Sequence, residues 1–249
     1  MIIEYNGNKP KIDPSAYIAP NAVISGDVTI GPDSRILYGA VITSEGAPVK
    51  IGRGVVVMEN AVIRGAGGRT RAFPCILEDS VLIGANAYVC GATLHNRAFV
   101  ASGATVLNGA VIGHNAAVSL GAIVHIQTYL PPETLVPIQH IVIGNPCKLF
   151  APNQAHEIID ELMRRNFREY VFDLKDEEVL ANRYGNSLAA HLKDKVLSLQ
   201  DVLVTFEPIE PETDKTITDK EPLAQTVAKK ASTRTPRAPR TVTRRKRTN

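Results

Sequence analysis

The sequence predicts an all-β solenoid: a left-handed parallel β-helix of hexapeptide repeats, followed by C-terminal α-helices and a disordered tail. Three observations carry this. From Ile12 the chain reads IDPSAY, IAPNAV, ISGDVT, IGPDSR and ILYGAV, so an aliphatic residue returns at every sixth position. Gly, Asn, Asp and Ser gather between those aliphatics, where tight corners need backbone conformations that branched side chains resist. Aromatic residues make up only 5% of the chain and Trp is absent, which suits an interior too narrow for large rings.

The repeat continues through ITSEGAPVK, IGRGVV and VMENAV to Ile63, breaks at RGAGGRTRAFPC, and resumes at Ile76 as ILEDSV, LIGANA, YVCGAT, LHNRAF, VASGAT, VLNGAV, IGHNAA, VSLGAI and VHIQTY. In this frame the unit at Tyr88 alone opens on a residue that is not aliphatic. Each unit is expected to be a short strand and a turn, three units closing one triangular coil with the opening residue inward. Stacked coils then share a parallel backbone ladder and a continuous apolar column.

These patterns divide the chain into a β-helix over 1–150, helices over 151–205 and a tail over 206–249. One helix is expected over 154–172, with Ile158, Leu162 and Phe167 on one face, and a second from about 176 to 199. Residues 229–249 carry nine Lys and Arg and no acid, so the overall charge of +3 less this +9 leaves the remainder at −6. So polar and Pro-rich a segment has little to bury, and disorder is expected. It could contact nucleic acid or an acidic protein, or serve only to keep the chain soluble.

Three cysteines without CxxC spacing build neither a disulfide framework nor a structural zinc site, and fit a reducing compartment. The N-terminal stretch MIIEYNGNKPKI has no secretory pattern, and no run approaches the roughly 18 apolar residues of a membrane span. The cytoplasm and no membrane partner are expected.

Interruptions in a solenoid emerge as corner loops and often carry binding groups. The shorter spans 46–50. The longer, 64–75, contains GAGG, Arg69 and Arg71 and should project as a flexible basic loop. With Arg64 these arginines form a candidate anion site for carboxylate or phosphate. His95, His125 and Cys90 are the candidate catalytic groups: imidazole as a general base, and the thiol as a nucleophile if arginines stabilise its thiolate. His95 and His114 should share one face on adjacent coils, and His125 should share a face with Cys90. The bland alternatives are solvated imidazoles, a small buried thiol and a solvated loop.

The stretch from Ile12 to about Phe150 resembles the gamma-class carbonic anhydrases, on the segments ILYGAVI, VKIGRGVVVMENAVI and GATVLNGAVIG and on the closing LPPETLVP and IVIGNPCKL. The resemblance implies a homotrimer whose active members hold a metal through three histidines at subunit boundaries and attack carbon dioxide with metal-bound hydroxide. Those ligand positions fall here at Arg64, at Gly84 or Ala85, and at Val89 or Cys90. No histidine lies between Met1 and Leu94. The family's Arg-Gly-Asp is replaced by Thr43-Ser44-Glu45, and its glutamine by Met58.

No metal site and no zinc are therefore expected. The first reading is a catalytically diverged homotrimer acting as a scaffold or a small-anion or metabolite-binding protein. The second is an acyl-CoA-dependent acyltransferase using the inter-subunit cleft, with Arg64, Arg69 and Arg71 binding phosphate or carboxylate and His95 or His125 as base. The third is a carbonic anhydrase with unusual ligands.

Overall fold

The computed structural model describes residues 1–67 and 71–174. Among the described residues short strands form three sheets, one of ten strands and two of seven; each strand pairs in parallel with the strand one coil away, except Ala72–Phe73 and Lys148–Phe150, which add antiparallel to the first sheet. These are the three faces of a left-handed parallel β-helix. The first face runs from Ile2–Ile3 to Ile141–Ile143, the second from Lys11–Ile12 to Tyr129–Leu130 and the third from Tyr17–Ile18 to Leu135–Val136.

Inside, one aliphatic side chain per strand stacks along each face. Ile24, Ile42, Ile63, Val89, Val106 and Val124 form such a column on the first face, all 0% exposed. Alanines such as Ala61, Ala87 and Ala104 fill the space beside the corners. At the corners Asn60, Asn86 and Asn115 take left-handed φ of 56°, 57° and 57°, a conformation Asn tolerates better than most residues.

The frame differs from the sequence reading after the long interruption. Ile76, Leu82 and Tyr88 are half-buried on the outside, and the inward residues are their neighbours Leu77, Ile83 and Val89, at 1%, 0% and 0% exposure. The inward sequence then steps from Val89 to Leu94, five residues instead of six, and the expected frame returns at Leu94 and Val100. The short unit is possible because Gly91 turns at φ +55°, with a Cβ there falling 2.4 Å from Phe73 Cβ. Since strand side chains alternate, a one-residue offset exchanges inside for outside.

Two further expectations change. The interruption is a hairpin: Val62–Gly67 continues the first face and pairs antiparallel with Ala72–Phe73, so its described part is structured. The helix expected over 154–172 is two, α1 (Ala155–Met163) and α2 (Phe167–Phe172). Asn166 stands between them at φ 39°, its side chain accepting from Glu169 N–H as the cap of α2. Ile158 and Leu162 pack with Ile143 and Phe150 at the end of the solenoid, whereas Phe167 turns to His125. The expected helix over 176–199 and the tail lie outside the described residues.

The inward register predicts unequal costs for neighbouring truncations. Leu77→Ala is expected to lower unfolding free energy by about 2–5 kcal/mol and Ile76→Ala by clearly less, measured by denaturant unfolding. Equal or reversed losses would reject the register.

Candidate functional site

On the outer side of the first face, the register aligns Ser25, Thr43, Arg64 and Cys90 on successive coils. The offset produces this alignment: because Val89 faces inward, Cys90 faces outward, directly beside Arg64. The same register bears on the positions that the resemblance leaves open. Val89 belongs to the core, and Gly84 has no room for a side chain, because a Cβ there would lie 2.4 Å from Ser102 N. Of the positions that the resemblance implies, Arg64, Ala85 and Cys90 are the ones whose side chains stand outside the aliphatic core.

Arg64 makes an ion pair with Glu45 on the preceding coil, and its Nη1 lies 3.4 Å from the Tyr88 hydroxyl oxygen. Both members of the pair are partly buried. Cys90 is 4% exposed, and Asn108 Nδ2 donates to its Sγ at 3.5 Å. Burial pushes the Cys90 thiol up, against the opposing pull of the Tyr88 hydroxyl, the Arg64 guanidinium and the Asn108 amide. Burial likewise pushes the Tyr88 phenol up to about 12, with Cys90 adding to it. At neutral pH this is a guanidinium–carboxylate pair beside a protonated thiol and a protonated phenol.

Further along the face the outward column continues through Leu107 to His125, two coils from Cys90. Phe167 of α2 lies against His125, with ring centroids 6.0 Å apart. Burial, with the Arg165 charge, lowers the His125 pKa to about 4. Arg71 does not project freely: its Nη1 donates to the Tyr170 carbonyl at 3.0 Å and its guanidinium lies 4.5 Å above the Tyr170 ring. Tyr170 also packs on Phe73, 5.1 Å between centroids, so α2 and the hairpin hold each other. Arg69 lies outside the described residues.

His95 is elsewhere. It follows Thr93–Leu94 on the second face, and its Nδ1 meets Glu78 Oε1 at 2.9 Å. Glu78 Oε2 accepts from Asn96 N–H at 3.0 Å, fixing the carboxylate that orients the ring. The structure thus brings Arg64 and Cys90 together, sets His125 further along their face and assigns His95 to another face.

Sequence reasoning did not find Glu45, Tyr88, Asn108 and Tyr170 as members of the site. Glu45 was visible as an acid in the segment that pairs with Arg64's strand, and Tyr88 as the odd opening residue. Asn108 and Tyr170 depend on contacts across 18 and 99 residues, for which local pattern offers no sign.

Among the described residues no cluster of three His, Cys, Asp or Glu side chains could hold a metal, and no helix is long and apolar enough to cross a membrane.

Comparison with known proteins agrees with this architecture. Residues 9–44 match the family described as bacterial transferase hexapeptide (six repeats). A carbonic anhydrase from Geobacillus kaustophilus is 32% identical over 171 residues, covering 69% of this chain and 87% of that protein. The chain belongs to the gamma-carbonic-anhydrase-like hexapeptide-repeat family. Mitochondrial gamma carbonic anhydrase 3 of Arabidopsis thaliana is 34% identical over 98 residues, which cover 39% of this chain. The chain spans less than two thirds of such plant relatives, 38% of that one. A crystal structure of a candidate acetyltransferase from Bacillus cereus superposes with a TM-score of 0.51 at 29% identity, covering 76% of this chain and 98% of the other. Carbonic anhydrases and acyltransferases thus both stand among the chain's similar proteins.

The depressed His125 pKa fixes a sign. The unfolded chain takes up a proton near pH 6.5 and the folded chain only near pH 4, so His125 lowers stability as pH falls through that window. His125→Leu is expected to lose less melting temperature than the parent between pH 6.5 and 4; equal losses in thermal denaturation would show that His125 is not the group responsible.

Proposed function

We propose that this chain is a metal-independent, catalytically diverged member of its family, acting as a homotrimeric scaffold. The observation that carries the proposal is the Arg64–Glu45 ion pair at the first ligand position. A guanidinium keeps its charge at any physiological pH and offers no lone pair to a metal, so it repels a dication where the family needs a ligand. Ala85 offers only a methyl group. Cys90 is a ligand only once deprotonated, and burial opposes that. The residues present do not fit a metal.

The same pairing bears on small-anion binding, the other half of this reading. Glu45 already neutralises Arg64, and Arg71 is engaged with Tyr170, so neither waits as an open anion clamp. That favours the scaffold.

Trimer formation is supported by the outer side of the third face. Tyr17, Val56, Leu82, Phe99, Ala117 and Leu135 share one register column there, in which Arg35 is the one charged residue. Leu135 is 63% exposed and Phe99 40%, as expected of a face that meets another subunit. Ala85 follows the third face whereas Arg64 and Cys90 lie on the first, so a contact between these faces of two copies would unite the three positions. The basic segment 229–249 supplies a polyanion-binding extension for nucleic acid or an acidic protein. The free thiols of Cys75, Cys90 and Cys147 favour a reducing compartment such as the cytoplasm.

A second reading, acyl transfer from coenzyme A, is favoured by the Glu78–His95 pair. A carboxylate on Nδ1 leaves Nε2 as the basic nitrogen, the arrangement a general base needs.

Three measurements separate these readings. Purified protein exposed to zinc and desalted is expected to retain no stoichiometric metal and to hydrate no carbon dioxide. The variant Arg64→His, Ala85→His, Cys90→His is expected to take up zinc. Stoichiometric metal with hydration activity in the parent would overturn the proposal. Sedimentation is expected to give the mass of three chains, reduced by Phe99→Glu with Leu135→Glu. A raised melting temperature with acetyl-CoA, lost in His95→Ala together with acyl transfer, would move the assignment to the transferase.

A further inference from the structure

Where the solenoid ends, the strand Lys148–Phe150 turns back antiparallel on Ile141–Ile143 and brings Lys148 against α1. Lys148 Nζ lies 2.9 Å from Glu161 Oε2, Arg164 Nη1 3.6 Å from the same oxygen, and Arg165 Nη2 3.1 Å from Glu161 Oε1. Three cations therefore converge on one carboxylate, leaving an excess of two positive charges. Glu157 and Asp160, the other acids of α1, form no ion pair with any of them among the described residues.

The cluster combines a fixed base with an open rim. The Glu161 side chain is 9% exposed and Arg165 20%, whereas Lys148 and Arg164 are 56% and 69% exposed. Gly144 lets Arg165 approach the backbone, since a Cβ there would lie 2.3 Å from Arg165 Nη2. Arg165 Nε is buried, so Arg165 belongs to the base of the cluster, and Lys148 and Arg164 form its exposed rim. A lone structural ion pair needs one cation per carboxylate. Two extra cations around one carboxylate repel each other, and an anion on the rim would relieve that repulsion.

We propose that Lys148, Arg164 and Arg165 form a binding site for a phosphate-class dianion, seated on the exposed rim with Glu161 holding the cations in position. A dianion matches the charge excess, and the guanidinium forks present paired donors to phosphate oxygens. The site is separate from the Arg64–Glu45 pair, so it does not depend on the metal-free reading of that position.

The test is isothermal titration of the full chain with inorganic phosphate at constant ionic strength, beside ADP and chloride. Saturable binding is expected, weakened at least tenfold by Lys148→Gln with Arg164→Gln and retained by Lys148→Arg, with melting curves confirming that each variant is folded. Equal affinity for phosphate and ADP would assign the site to the phosphate group alone, and tighter ADP binding to a nucleotide. No saturable heat, an equal response to chloride, or unchanged affinity in the double variant would overturn the proposal.

Discussion

Everything in this molecule depends on the stacking of one inward aliphatic side chain per strand. Each coil is too narrow to close a core by itself, so Ile63 is buried only because Ile42 and Val89 lie on either side of it in the ladder. Stability is therefore spread along the axis, and each strand's outward residues are held in register with those of its neighbours. A side chain on this surface has a position fixed by pairing partners far away in sequence. That rigidity lets Glu45, Arg64 and Cys90, from three separate coils, form one small polar cluster.

The same constraint explains why a single missing residue matters. Shortening the unit between Val89 and Leu94 leaves the column intact but changes which side chain faces out, and Cys90 becomes the neighbour of Arg64. Having arrived there, the thiol is in a position of conflict. Tyr88, Arg64 and Asn108 would all stabilise a thiolate, yet burial outweighs them and the proton stays. Charge on this surface is carried by Arg64 and Glu45, which neutralise each other. In the proposed reading, this ion pair stands where the resemblance places the first metal-binding histidine of active relatives.

The fold was legible because its physics is local and periodic: an aliphatic every sixth residue, with turn-tolerant residues between, leaves few alternatives. The identity of the outward residues was less legible, since period alone cannot locate an omitted position. Tyr88 carried the clue, as an aromatic cannot occupy an inward position sized for Val or Ile, and it marked the stretch where the written frame was out by one. His95 lies only five residues from Cys90 but on another face, because a corner intervenes and corners send adjacent segments to different faces. The roles of Asn108, Phe73 and Tyr170 come from contacts between coils and helix, where sequence distance conveys nothing.

The C-terminal helices do more than end the chain. α1 closes the apolar end of the solenoid through Ile158 and Leu162, covering side chains that would otherwise face water for lack of another coil. α2 then returns along the first face, placing Phe167 on His125 and Tyr170 on Phe73 and Arg71. The break between them at Asn166 permits both tasks, because one straight helix could not cap the end and also follow the side. Arg165 sits at that bend, reaching back to Glu161 and lowering the pKa of His125 by its charge. Arg165 thus joins the two tasks, holding α1 through Glu161 while its charge adds to the burial that keeps His125 neutral.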